Sequence, residues 1–310
     1  MNDALKTELF GLEMKNPVMS ASGTFGFADC YRDFFDPAMM GAIVVKALTP
    51  LPRAGNPPPR TCETPSGMLN AIGLENPGLR EYMARIAPAL KGIGTKLIIN
   101  VAGSTIEDYV EVAEAVEQDG GADALEINIS CPNVKEGGLA FGSSAKGAAK
   151  VTEAVRRAVG MPIIMKLTPN VTDIAEVAKA CEDEGADAIS MINTLLGMSI
   201  DVKARKPYLA NETGGLSGPA VRPVAVRMVW QTAQKVSIPI IGMGGISSAE
   251  DALEFMMAGA SAVAVGTAQL ADPMAIPRII EGLSRYVKDE GLASIREIVG
   301  AACPGRKVAG

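Results

Sequence analysis

The residues best suited to chemistry lie together in Asn128-Ile129-Ser130-Cys131-Pro132-Asn133, where a mostly apolar run from Ala124 to Ile129 gives out. A thiol stands between two carboxamides at the point where a buried strand should end. The chain contains no histidine, so proton transfer here needs another base. A cysteine beside fixed amides can serve, because its thiolate form is a competent proton acceptor. Cys131 has a bland alternative as a small buried hydrophobe; the adjoining Pro132 and Gly137-Gly138 favour a loop that exposes the sulfur. Cys30, Cys62, Cys181 and Cys303 have no such setting, and Cys181 falls on an apolar stripe with Val171, Ile174 and Ala178 that suits packing. With no CxxC pair and an odd cysteine count, a disulfide framework, a zinc site or an iron–sulfur site on this chain is not expected. Redox chemistry would need an organic cofactor or a partner.

The elements that must position this segment are short apolar runs alternating with amphipathic ones. Strands are predicted over Pro17–Ser20, Ala42–Leu48, Lys96–Val101, Ala124–Ile129, Pro162–Leu167, Ala188–Ile192, Pro239–Met243 and Ser261–Val265. Most are nearly continuous in Val, Ile, Met and Ala, as parallel strands covered on both faces are. Between them, Val221, Val224, Ala225, Met228, Val229 and Ala233 recur at helical spacing, as do Ile106, Tyr109, Val110 and Ala113. Ser104-x-x-Glu107 and Ser247-x-x-Glu250 have the form of capping boxes, and Gly120-Gly121 and Gly259 suit helix ends. Strands followed mostly by helices predict an α/β fold, a single (β/α)8 TIM barrel over residues 1–310, with a doubly wound sheet as the rival. Thr7 to Met14 reads as a small N-terminal β-hairpin that could close the barrel bottom, and Thr49–Pro65 and Leu195–Gly218 as long βα loops.

In such a barrel the carboxyl ends of the strands face the active site. Those ends carry Ser20 and Ser22, Lys46, Asn100, Asn128, Lys166, Asn193 with Thr194, Gly244-Gly245 and Gly266-Thr267. One such residue is ordinarily a satisfied structural group; recurrence around one ring argues for a ligand. The lysines suit a carboxylate, a phosphate or an anionic ring. Asn70, Asn100, Asn128, Asn133 and Asn193 offer paired donors and acceptors, which suits a flat heterocycle. Gly242-Met243-Gly244-Gly245-Ile246-Ser247 and Val265-Gly266-Thr267 follow the last two strands, where barrels often hold phosphate. A dinucleotide fingerprint is the weaker reading, since Ser247 stands where its third glycine belongs. Apolar content of 48%, charged content of 21% and a net charge of −6 fit a globular chain with no general reason to bind nucleic acid or a membrane. No apolar run reaches the roughly 18 residues of a membrane span, and the N-terminus lacks a signal-peptide core, so a cytoplasmic location is expected.

Taken together, Asn16-Pro17-Val18-Met19-Ser20-Ala21-Ser22-Gly23, Gly67-Met68-Leu69-Asn70-Ala71-Ile72-Gly73-Leu74, the Asn128–Asn133 segment, Met191-Ile192-Asn193-Thr194 and Gly242–Ile246 resemble dihydroorotate dehydrogenase, the flavin enzyme family of pyrimidine biosynthesis. The resemblance runs from about Asn16 to Gly291. It implies a barrel with FMN above the strand ends, Cys131 as the base at C5 of dihydroorotate, and hydride passing from C6 to flavin N5. It implies Lys166 near flavin N1 and Lys46 against both the flavin and the substrate carboxylate. Asn70, Ala71, Ile72, Gly73, Leu74, Asn128, Asn133, Asn193 and Thr194 would meet the pyrimidine. Ser22, Ala47, Asn100, Asn128, Ile192 and Gly218 would line the flavin, and Gly244, Gly245, Gly266 and Thr267 would take its phosphate. The run Val134 to Gly142 is similar to the NAD-linked form of the family. That form pairs a homodimeric barrel core with subunits carrying FAD and a 2Fe–2S cluster, as a heterotetramer. The fumarate-using homodimer and other pyrimidine-reducing flavin barrels remain alternatives.

Overall fold

The computed structural model describes residues 3–130 and 141–304. Eight parallel strands close into a barrel in chain order: β3 (Val18–Ser20), β4 (Ala42–Leu48), β7 (Lys96–Val101), β8 (Ala124–Asn128), β9 (Ile163–Lys166), β10 (Ala188–Met191), β15 (Ile240–Met243) and β16 (Ala262–Val265), which returns to β3. Every predicted strand is present, most trimmed by a residue or two. Helices α1 (Ile106–Asp119), α2 (Ala145–Ala158), α3 (Ile174–Asp183), α4 (Arg222–Ala233), α5 (Ala249–Met257) and α6 (Ala275–Asp289) follow six of the strands. The connections after β3 and β4 carry only short helical pieces.

Side chains alternate along the strands, save at a register shift between Val45 and Leu48 of β4, and the barrel uses both faces. Ile43, Val45, Leu97, Ile99, Leu125, Ile127, Ile163 and Met165 pack outward in the large core shared with the helices. Ala42, Val44, Ile98, Ala124, Ile164, Ala188, Ile241, Ala262 and Ala264 point inward and form a second core. The N-terminal hairpin, β1 (Thr7–Leu9) with β2 (Leu12–Met14), adds Leu9 and Met14 to that inner core. Small alanines cannot fill the base of the barrel alone, and the hairpin supplies the missing apolar volume.

Two expectations are corrected. The helix caps sit one residue later than Ser104-x-x-Glu107 and Ser247-x-x-Glu250. Thr105 and Asp108 cap each other reciprocally at α1, and Ser248 and Asp251 do so at α5. Each cap hydroxyl is followed three residues later by an aspartate short enough to reach back to the cap N–H. The long loops also hold their own sheet. It runs β11 (Leu195–Gly197), β14 (Gly214–Ser217), β6 (Gly67–Asn70), β5 (Thr61–Thr64), and a small ribbon pairs β12 (Ile200–Asp201) with β13 (Lys206–Pro207). Gly120 ends α1 in the left-handed conformation, as expected. Among the described residues no helix is long and apolar enough to cross a membrane.

Leu9 is fully buried in the plug. Leu9→Ala should cost about 2–5 kcal/mol of unfolding free energy, read as a lower urea midpoint at unchanged m-value.

Candidate active site at the carboxyl ends of the barrel strands

One period of two beyond the inward-facing Ile98, Ala124, Ile164 and Ala188 lie Asn100, Glu126, Lys166 and Ser190, all buried. They make one hydrogen-bonded layer across the barrel. Glu126 Oε2 accepts from Asn100 Nδ2 at 2.5 Å and from Lys166 Nζ at 3.2 Å, and Oε1 accepts from Ser190 Oγ at 2.7 Å. Lys166 Nζ also donates to Ser22 Oγ at 3.2 Å. Burying a carboxylate costs several kcal/mol unless donors compensate it; this one has an ammonium, an amide and a hydroxyl.

The layer continues toward solvent through Asn128. Its Nδ2 donates to Asn100 Oδ1 at 3.3 Å, while its Oδ1 accepts from Ser130 Oγ at 2.8 Å and Ser130 N at 3.2 Å. Asn193 Nδ2 donates to Ser130 Oγ at 2.7 Å. The carboxylate sets the direction of the chain. Glu126 only accepts, so Asn100 turns its NH2 inward and its oxygen toward Asn128. Tyr109 of α1 donates to Asn128 O at 3.0 Å and pins the end of β8 from the helix side.

A second group gathers where the accessory sheet meets the loop after β10. Asn70 pairs in register with Gly215, and its Nδ2 donates to Gly215 O at 3.4 Å. A Cβ on Gly215 would lie 1.9 Å from Thr194 Oγ1, so glycine lets the sheet rest directly on that loop. Asn193 Oδ1 accepts from Thr194 N at 2.8 Å, and Asn170 Nδ2 donates to Thr194 O at 3.0 Å. The 71–74 turn lies at the end of β6 and bonds to the long preceding loop, through Ala71 N to Arg60 O and Asn56 N to Ile72 O. Gly73 and Leu74 have positive φ there.

A third group joins the loops after β14, β15 and β16. Thr267 Oγ1 donates to Ser217 Oγ at 2.8 Å. A Cβ on Gly245 would meet Gly218 O and Arg222 Cβ at 2.8 Å, and one on Gly244 would meet Ile192 Cγ1 at 3.2 Å. Asp251 ties this region together, accepting from Ser247 N at 2.8 Å and pairing with Arg222. Among the described residues the backbone N–H groups of Gly244, Gly245, Gly266 and Thr267 donate to no protein acceptor. Unpaired amides on converging loops are the donor set an anion such as phosphate satisfies.

Lys46, inward-facing on β4, is half-buried, and its ammonium has no hydrogen bond or ion pair among the described residues. Burial pulls its pKa below that of an ordinary lysine, and the Glu75 carboxylate partly offsets this. Ala47 beside it is buried in the same strand. Cys131 and Asn133 lie outside the described residues. Cys181 is fully buried, and burial pushes its thiol up to about 12, which suits the packing role expected of it. Glu126, Ser130 and Ser190 were not anticipated as site residues. The available signal was the single acid inside the apolar run Ala124–Ile129. A groove of about 970 Å³ between α4, α5 and α6, lined by Trp230, Leu253, Met257 and Tyr286 among others, lies on the outer helical layer and shares no residue with these groups.

The dihydroorotate dehydrogenase family model matches residues 4–287. The chain is 56% identical over 296 residues to the dihydroorotate dehydrogenase B (NAD(+)) catalytic subunit of Geobacillus kaustophilus, covering 96% of this chain and 95% of that protein. It is 53% identical over 297 residues to the subunit of the same name from Bacteroides thetaiotaomicron, covering 96% and 98%. With that of Halalkalibacterium halodurans it shares 56% identity over 298 residues, again 96% and 98%. A match spanning nearly the whole barrel, and with it every strand end that carries the polar layer, places this chain in the dihydroorotate dehydrogenase family.

Proposed function

We propose that this chain oxidises (S)-dihydroorotate to orotate with FMN, in pyrimidine biosynthesis, as the catalytic subunit of an NAD-linked enzyme. The observation that carries the reading is the continuous line Lys166–Glu126–Asn100–Asn128–Ser130–Asn193, which runs from a buried cation through Asn128 and Ser130, the residues that lead into Cys131 in sequence, to Asn193. The names of the relatives support the NAD link. In this reading the FAD and 2Fe–2S cluster belong to a partner subunit. The assembly we propose is a homodimer of barrels with two such partners, a heterotetramer acting in the cytoplasm.

The residues present fit FMN. Its phosphate would meet the unpaired amides of Gly244, Gly245, Gly266 and Thr267. Ser22, Lys46, Ala47, Asn100, Asn128, Ile192 and Gly218 would line the rest of it. When bound, FMN supplies the acceptor for a hydride from C6 of the substrate. Lys166 places positive charge where the ring would gain electrons, a charge arranged in advance of the reaction and shielded from water. Asn70, the 71–74 turn, Asn128, Asn133, Asn193 and Thr194 would hold the pyrimidine, and Lys46 would take its carboxylate. Cys131 would remove the proton at C5. The thiolate is the form that accepts a proton, so the rate should rise with pH.

Three outcomes are expected. Cys131→Ala should retain FMN and lose about 10²–10⁴-fold in the rate of flavin bleaching by dihydroorotate; near wild-type bleaching in stopped flow would remove Cys131 as the base. Lys46→Met should weaken orotate binding about tenfold or more, as for a charge-assisted hydrogen bond of about 1.5–3 kcal/mol. Lysine is charged below its pKa, so the advantage of wild type over Lys46→Met is full at neutral pH. It is lost as pH rises through a midpoint below 10.5, and calorimetric titration across pH reads this. Finally, the isolated chain, mixed anaerobically with dihydroorotate, should bleach its flavin and then stall in the presence of NAD⁺. Reoxidation by fumarate alone would instead assign the homodimeric form, and no bleaching with flavin bound would overturn the substrate.

A further inference from the structure

We infer that Glu126 is a positioning residue that sets the reduction potential of the bound flavin, by governing how much positive charge Lys166 presents to it. The inference rests on the proposed function, in which Lys166 faces FMN.

Lys166 Nζ is shared between Glu126 Oε2 and Ser22 Oγ, each at 3.2 Å. Lysine and glutamate are both almost wholly buried, at 5% and 2% side-chain exposure. Water therefore screens the pair weakly, and the field it projects upward is that of a dipole rather than of a lone cation. A dipole stabilises an anionic ring less than a bare ammonium would. The carboxylate is itself restrained, because Asn100 donates to it from the adjacent strand β7 and Ser190 from β10, the strand beyond β9. Those bonds draw its charge away from Lys166 and fix where the ammonium sits. Asn100 reports to the same carboxylate, so charge balance and amide orientation are set by one side chain.

The geometry offers a clean variant. Glutamine at 126 can keep an oxygen toward Lys166 and Asn100, and turn its NH2 to Ser190 Oγ, which can accept. Glu126→Gln then removes the charge and leaves the shape. Lys166 becomes an uncompensated cation, so reduced flavin is favoured. The midpoint potential should rise by at least a tenfold change in the ratio of reduced to oxidised affinity, about 30 mV for a two-electron couple. Ser190→Ala does the opposite. It keeps the charge and strips one donor from it, so the carboxylate holds Lys166 harder and the ratio should fall by about threefold.

The experiment is a dye-equilibration potential on the FMN-loaded chain for wild type and both variants, with the affinity of oxidised FMN measured alongside. A fold-maintaining role alone would weaken both redox forms together and leave the potential unmoved. An unchanged potential in FMN-loaded Glu126→Gln, or shifts of the same sign in both variants, would overturn the inference. If Glu126→Gln does not fold, Ser190→Ala decides alone: a lower potential supports the inference, and an unchanged or higher one overturns it. A wild-type chain that takes up no FMN, or whose FMN dihydroorotate does not bleach, would instead sink the proposed function.

Discussion

A carboxylate enclosed in a barrel of apolar strands has to be matched by donors, and Glu126 imposes that demand on everything around it. Lys166, Asn100 and Ser190 arrive from three different strands to meet it. Once Asn100 has turned its NH2 to the carboxylate, Asn128 has no choice but to donate to the oxygen left over. Ser130 and Asn193 then follow in fixed order. The orientation of a row of side-chain amides, which is otherwise free to flip, is decided at its buried end by the one group that cannot donate.

That arrangement works only because the barrel changes character along its axis. Its lower half is filled by alanine, valine and isoleucine side chains and closed by Leu9 and Met14 of the hairpin. On β7 to β10 its upper half carries polar groups bonded to one another, while Met243 and Ala264 stay apolar on β15 and β16. The apolar floor keeps water from entering beneath the ion pair, and the low polarizability there strengthens each charge-assisted bond above it. Above, Gly215 of the accessory sheet pairs with Asn70 and lies directly against Thr194 in the loop after β10, an approach that only glycine allows. The two halves are built from consecutive residues of the same strands, so the floor holds the site in register.

The anion-binding loops obey a different rule. There three of the four positions are glycine, and the backbone N–H groups of Gly244, Gly245, Gly266 and Thr267 have no acceptor among the described residues. Gly245 approaches Gly218 and Arg222 more closely than any side chain would allow. The loops are held by polar ties outside the barrel, Asp251 to Ser247 and Arg222 on one side and Thr267 to Ser217 on the other. Rigid donors fixed before a ligand arrives lose little entropy on binding.

Much of this was legible in the chain alone. The strands are continuous apolar runs, and a period of two puts Lys46, Asn100, Asn128 and Lys166 at their inner ends, so the barrel and the ring of polar groups follow from local pattern. The caps slipped by one residue because Ser104 and Thr105, and Ser247 and Ser248, are adjacent hydroxyls; only the reach of Asp108 and Asp251 chooses between them. The accessory sheet was not legible, since Asn70 and Gly215 stand 145 residues apart and their segments carry the turn-rich composition of loops. Nor was Glu126 as the centre of the layer. An acid in an apolar strand announces a buried charge, but its partners come from strands 26, 40 and 64 residues away. Residue type and spacing determined which groups would face the interior. Only closure of the barrel decided which would meet, because hydrogen bonds act over about 3 Å and sequence pattern carries no distance between strands.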